Sequence, residues 1–210
     1  MYTELAILSP LLVLYYFDIV GWEVIVLIMF TWYWLPKWLF LNSFLDIFYP
    51  NIITRNRNIK LGAYKPIALT FDDAPYGSHE RIITLLDLFN MKGTFFIISS
   101  YVNKENMQVF VNAVKNGHQL ANHGKTNRMH ALLSEDALVN EMYHCDQLIN
   151  EIYDEAKIDS PKQMYYRPGC GLFTNSMLKI VDDAGYKLAL ASVYPNDPIV
   201  RFRYIELYIS

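Results

Sequence analysis

From residue 66 onward, short unbroken apolar runs alternate with segments whose apolar residues recur every three or four positions. The runs predict buried strands and the periodic segments predict amphipathic helices. Ile67 to Phe71 is the first strand. A helix over 79–92 follows, with Ile82, Ile83, Leu85, Leu86 and Phe89 on its inner face and Gly93 as its stop. Residues 94–98 form a second strand and 106–116 a second helix, with Val109, Phe110, Ala113 and Val114 inward. A weaker strand covers 118–121. Ser134 opens a long helix, with Glu135 and Asp136 at its positive end and Leu138, Met142, Cys145, Leu148 and Ile149 along its apolar stripe. A strand over 163–166, a helix over 174–184 closed by Gly185, and a strand over 187–193 complete the pattern. Such alternation predicts a parallel sheet with crossover helices, as an open sheet or a barrel.

Residues 1–50 follow a different pattern. Ile19 to Pro36 is an apolar stretch interrupted by a single charge, Glu23. A bilayer-spanning helix needs roughly 20 mostly apolar residues. Trp32, Tyr33, Trp34 and Trp38 resemble an interfacial aromatic belt. Residues 1–50 are therefore expected to be a hydrophobic membrane anchor, 51–65 a linker and 66–210 the main domain. A hairpin, an interfacial pair of helices or two buried core helices would fit the same pattern. Lys37, Arg55, Arg57 and Lys60 lie on the C-terminal flank, which for a single span favours a cytoplasmic main domain. A cleaved leader is disfavoured, because no Lys or Arg precedes the first apolar run and no small-residue cleavage site follows it.

Charge narrows the class of partner. Of 18 basic and 21 acidic residues, one and four lie in 1–50, so 51–210 holds 17 of each. A neutral main domain gives no electrostatic reason for a nucleic-acid partner. The two cysteines, Cys145 and Cys170, make no disulfide framework and no C-x-x-C metal spacing.

The polar residues at the strand ends carry the chemistry. Asp72 and Asp73 follow the first strand, His123 the third and Asp197 the fifth, while Arg167 ends the fourth. In parallel α/β folds these ends share one face, where active sites are built. Imidazole and carboxylate are good ligands for a divalent ion such as zinc. If Asp73 holds a metal, the cation offsets its repulsion with Asp72. Asp72 is then left ionised as a general base toward water acidified by the metal. Arg167 is placed to pair with Asp72, and the turn Pro168-Gly169-Cys170-Gly171 to bring backbone N–H groups to a ligand.

These motifs resemble those of the polysaccharide deacetylases, the NodB-type carbohydrate esterases of family four. "TFDDAP" (70–75) resembles the first motif, a base Asp followed by a ligand Asp. "NHGKTNRMH" (122–130) resembles the second, a His followed four residues later by His or Asp. "YRPGCG" (166–171) resembles the third, an Arg-Pro turn lining the acetyl pocket, and "SVYPNDP" (192–198) the fourth, as in a membrane-anchored branch. The resemblance covers about residues 66–205. It implies a distorted (β/α) barrel and removal of N-acetyl groups from amino-sugar polymers such as chitin or peptidoglycan. The implied catalytic residues are Asp72, Arg167 and Asp197. Pro168, Gly169 and Cys170 would bind substrate, and Asp73, His123 and Asn127 the metal, zinc by expectation. Two departures stand out. Asn127 occupies the position of the third ligand, and His130 lies seven residues after His123. The family's late Leu-x-x-His, the general acid that Asp197 would support, has no counterpart before Ser210. The expectation is an incomplete barrel preceded by an apolar helical segment. The alternative is an inactive relative that binds sugar or a membrane partner. A phosphohydrolase is disfavoured, because "FDDAP" lacks Asp-x-Asp spacing.

Overall fold

The computed structural model describes residues 21–34, 37–55, 67–75 and 77–193, with side chains described at 21–28, 43–55, 67–75 and 77–193. The chain divides into two compact units, one over Phe48–Ser192 and one over Met1–Ile47 with Val193–Ser210. Helices α1 (Trp22–Trp34) and α2 (Lys37–Phe48) precede the sheet in sequence. Among the described residues no helix is long and apolar enough to cross a membrane. At 13 residues α1 extends about 20 Å, against a hydrocarbon core of about 30 Å.

The larger unit is built on five parallel strands in the order β1-β2-β3-β4-β5. They are β1 (Leu69–Ala74), β2 (Gly93–Ile97), β3 (Gln119–Asn122), β4 (Met164–Tyr166) and β5 (Tyr186–Leu188). Each pair of successive strands is joined through a helix: α3 (His79–Leu88), α4 (Lys104–Lys115), α5 (Glu135–Ala156) and α6 (Asn175–Asp183). Every new strand lies beside the one before it, which is the progression of a (β/α) barrel rather than of a sheet that reverses order at a switch point. Ile53 adds a parallel bridge to Ala189 beyond β5.

Local chemistry explains the helix boundaries. Asn103 and Asn106 form a reciprocal capping box at the start of α4, and Ser134 accepts the Ala137 N–H at the start of α5. The core between β1, β2, β3 and the helices holds Phe95, Ile97, Phe110, Leu120, Cys145 and Ile149. Burial pushes the Cys145 thiol up to about 12, so it stays protonated and donates to the Ile97 carbonyl at 3.1 Å. On α3 only Ile83 and Leu86 of the five expected inward residues are buried, and Leu85 and Phe89 are exposed. Five positions between 82 and 89 span more arc than the stripe one helix can turn toward a core.

At the N-terminal rim, His118 accepts the Gly93 N–H at Nδ1 (3.1 Å), which leaves its Nε2–H to donate to Asp87 (3.1 Å). Burial works to raise the Asp87 carboxyl, but contacts from Asn116, His118 and Lys92 prevail and hold it below the usual range. A depressed carboxylate contributes stability above its unfolded pKa of about 4 and loses it as pH falls through the lower folded value. His118→Ala strands the buried Gly93 N–H and should cost about 1–3 kcal/mol in urea denaturation.

Candidate active site

Backbone bonds around the C-terminal rim set the register of the site. Ile98 N–H donates to Ala74 O (2.9 Å), His123 N–H to Ile97 O (2.9 Å), Arg167 N–H to Asn122 O (3.0 Å) and Ala189 N–H to Tyr166 O (2.8 Å). His123 and Arg167 are therefore the first residues beyond their strands, at one level of the rim.

The two carboxylates are placed differently from expectation. The first strand runs through Ala74, so Asp72 and Asp73 lie within it rather than after it. Neighbouring residues of a regular strand point to opposite faces. Here the pairing slips between Phe71 and Ala74, and Asp73 adopts a left-handed φ of 58°. Such a kink re-aims side chains, and both carboxylates meet partners on the rim: Arg167 for Asp72, His123 for Asp73. His79 anchors the kink, its Nε2–H donating to the Asp72 carbonyl at 3.0 Å.

Arg167 is held on four sides. Its Nη1 donates to Asp72 Oδ1 (2.5 Å) and Thr70 Oγ1 (3.1 Å), and its Nε to the Ala189 carbonyl (3.1 Å). Its guanidinium carbon lies 3.9 Å from the centroid of the Phe96 ring, a cation–π contact. The Arg167 side chain is 7% exposed and that of Asp72 is 38% exposed, so the pair presents its carboxylate to solvent and buries its cation.

His123 Nδ1 lies 2.6 Å from the Arg167 carbonyl, which only an N–H can satisfy. That contact assigns the proton to Nδ1 and turns the Nε2 lone pair toward Asp73, 3.4 Å from its Oδ1. With a proton between them, the His123 contact holds the Asp73 carboxyl below the usual carboxylate range, against partial burial that pushes it up. A lone pair and a carboxylate so placed need a proton or a cation between them. Two donors about 2.0–2.2 Å from one tetrahedral zinc stand roughly 3.3–3.6 Å apart, so the pair fits a divalent ion.

Asn127 is exposed on the loop after β3, and among the described residues no group of three or more His, Cys, Asp or Glu gathers around a possible metal. His130, an alternative ligand by sequence, is 1% exposed and fully engaged: Nε2 faces the Thr126 carbonyl (3.3 Å), while Nδ1 meets the Tyr166 hydroxyl (2.6 Å) and the Gly169 N–H (3.1 Å). It has no donor atom left for a cation. Pro168, Gly169 and Cys170 form the tight turn after β4, in which Cys170 takes a left-handed φ of 62°. Asp197 lies outside the described residues. The sequence reading missed Thr70 and Phe96 around Arg167, and it missed Glu141. The signal for Glu141 was available: it falls on the inward stripe of α5 between Leu138 and Met142.

The profile of the polysaccharide deacetylase family matches residues 62–189. Among curated proteins, a bifunctional xylanase/deacetylase of Pseudobutyrivibrio xylanivorans is 30% identical over 61% of this chain and 20% of its own length. A peptidoglycan-N-acetylglucosamine deacetylase of Bacillus cereus is 30% identical over 64% of this chain and 59% of its own. The chain thus spans less than two thirds of either relative. Among solved structures, peptidoglycan deacetylase PdaC of Bacillus subtilis superposes with a TM-score of 0.53 at 25% identity, covering 63% of this chain and 61% of that one. A mutant of a Bacillus anthracis CE4 family pseudoenzyme with restored enzymatic activity superposes with a TM-score of 0.54 at 26% identity, covering 70% and 50%.

Proposed function

The chain belongs to the polysaccharide deacetylase family, and on that premise we propose that it is a metal-dependent hydrolase removing N-acetyl groups from amino-sugar polymers of the peptidoglycan or chitin type. The observation that carries the reading is the 3.4 Å approach of His123 Nε2 to Asp73 Oδ1, with Asp72 beside them on the same kink. Asp73 and His123 would hold the ion, with the Asn127 amide oxygen as a weaker third donor. When bound, the ion supplies Lewis-acid polarisation of the acyl carbonyl and acidifies water. Asp72 takes the proton of the attacking water, and Arg167 fixes the carboxylate that receives it. The turn contributes one N–H to the acyl oxygen. Gly169 N–H is committed to His130 and Gly171 N–H to the Pro168 carbonyl, which leaves that of Cys170. Residues 1–50, rich in Trp and poor in charge, associate the chain with a membrane.

Incubation with an N-acetylglucosamine oligomer and a divalent cation should release acetate, and both chelator and Asp73→Ala should abolish the release. A second reading, an inactive relative that binds sugar, is favoured by Asn127 at the third-ligand position and by the likeness to a pseudoenzyme. It predicts oligomer binding with no acetate from either form.

A further inference from the structure

A buried carboxylate and a buried imidazole lie behind the site, the His130 ring edge-on to that of His123 with centroids 6.4 Å apart. Glu141, 5% exposed, accepts the backbone N–H groups of Lys125 (2.8 Å) and Thr126 (2.7 Å) and the Thr126 hydroxyl (2.8 Å). His130 joins the same loop to the turn after β4. Its Nε2–H donates to the Thr126 carbonyl, and its Nδ1 accepts the Gly169 N–H and the Tyr166 hydroxyl proton. The opposite tautomer would set a lone pair against a carbonyl and strand Gly169, so the network assigns the proton. Burial lowers the His130 pKa and keeps the ring neutral. The packing admits no slack. A Cβ on Gly169 would stand 1.9 Å from the Arg128 carbonyl oxygen, and one on Gly124 would stand 2.5 Å from His130 Cε1.

We infer that Glu141 and His130 are positioning residues which lock loop 124–130 and turn 168–171 into one body, so that the Asn127-bearing loop and the acyl-oxygen turn are preformed together. The cation arm of this inference rests on the deacetylase reading, and the backbone arm does not.

The test is amide hydrogen exchange with Co2+ titration of the full chain. Glu141→Met removes both acceptor oxygens and His130→Leu removes both ring nitrogens, each at similar size. Each should raise exchange at Lys125, Thr126 and Gly169 together by about tenfold or more and weaken Co2+ binding about 10–100-fold. His130→Gln should recover part of both. A Gly169 amide that stays protected in Glu141→Met overturns the single-body inference, and so does unchanged loop exchange in His130→Leu. Loosened segments with unchanged Co2+ affinity overturn the link to the site. Asp73→Ala should lose Co2+ with protection intact. Should the wild-type chain take up no Co2+, the deacetylase reading falls and the exchange pattern alone decides the inference.

Discussion

Asp72→Asn should lower acetate release from an N-acetylglucosamine oligomer by about 10²–10⁴-fold, the usual size of a lost acid–base term. The substitution is nearly isosteric. The amide oxygen still accepts from Arg167 Nη1, and Asp73, which faces His123, is untouched. What disappears is the anionic oxygen that takes the proton of water. Cation binding should therefore persist within a few-fold while kcat collapses. A loss under tenfold would place the base elsewhere on the rim.

Arg167→Leu should destabilise the site by about 1–3 kcal/mol in urea denaturation, chiefly because it strands the Ala189 carbonyl. The guanidinium is enclosed by Asp72, Thr70, the Ala189 carbonyl and the Phe96 ring. Its removal leaves the β5-end carbonyl without that partner and the Asp72 carboxylate without its cation. Arg167→Lys should recover less than half of the loss, because an ammonium is a point charge that cannot reproduce the planar fork or its stacking on Phe96. A loss of under about 1 kcal/mol for Arg167→Leu would mean that the enclosure is incidental.

Much of this arrangement was legible from residue order alone. The alternation of apolar runs and three-to-four periodicity located all five strands, and the placement of Asp72, Asp73, His123 and Arg167 at strand ends anticipated their convergence. The Asp72–Arg167 pair was anticipated as a charge-assisted contact that holds the carboxylate's orientation. Three features were less legible, for physical reasons. The kink at Asp73 depends on a left-handed backbone and a slipped register, which residue type does not announce, so the strand was expected to end at Phe71. By spacing His130 is a weak substitute ligand and more readily an ordinary loop histidine, and spacing says nothing of which way a ring nitrogen faces. Its two nitrogens are consumed by Thr126, Tyr166 and Gly169. Glu141 was passed over because a charged residue on an amphipathic helix is usually assigned to the solvent face, yet it caps the N–H groups of a turn.

The most direct test of the account is the divalent-metal content of the purified chain after zinc loading and removal of free ion, read by elemental analysis on wild type and Asp73→Ala. The account predicts one ion per wild-type chain and none in the variant. Equal content in the two proteins, or none in the wild type, would contradict it.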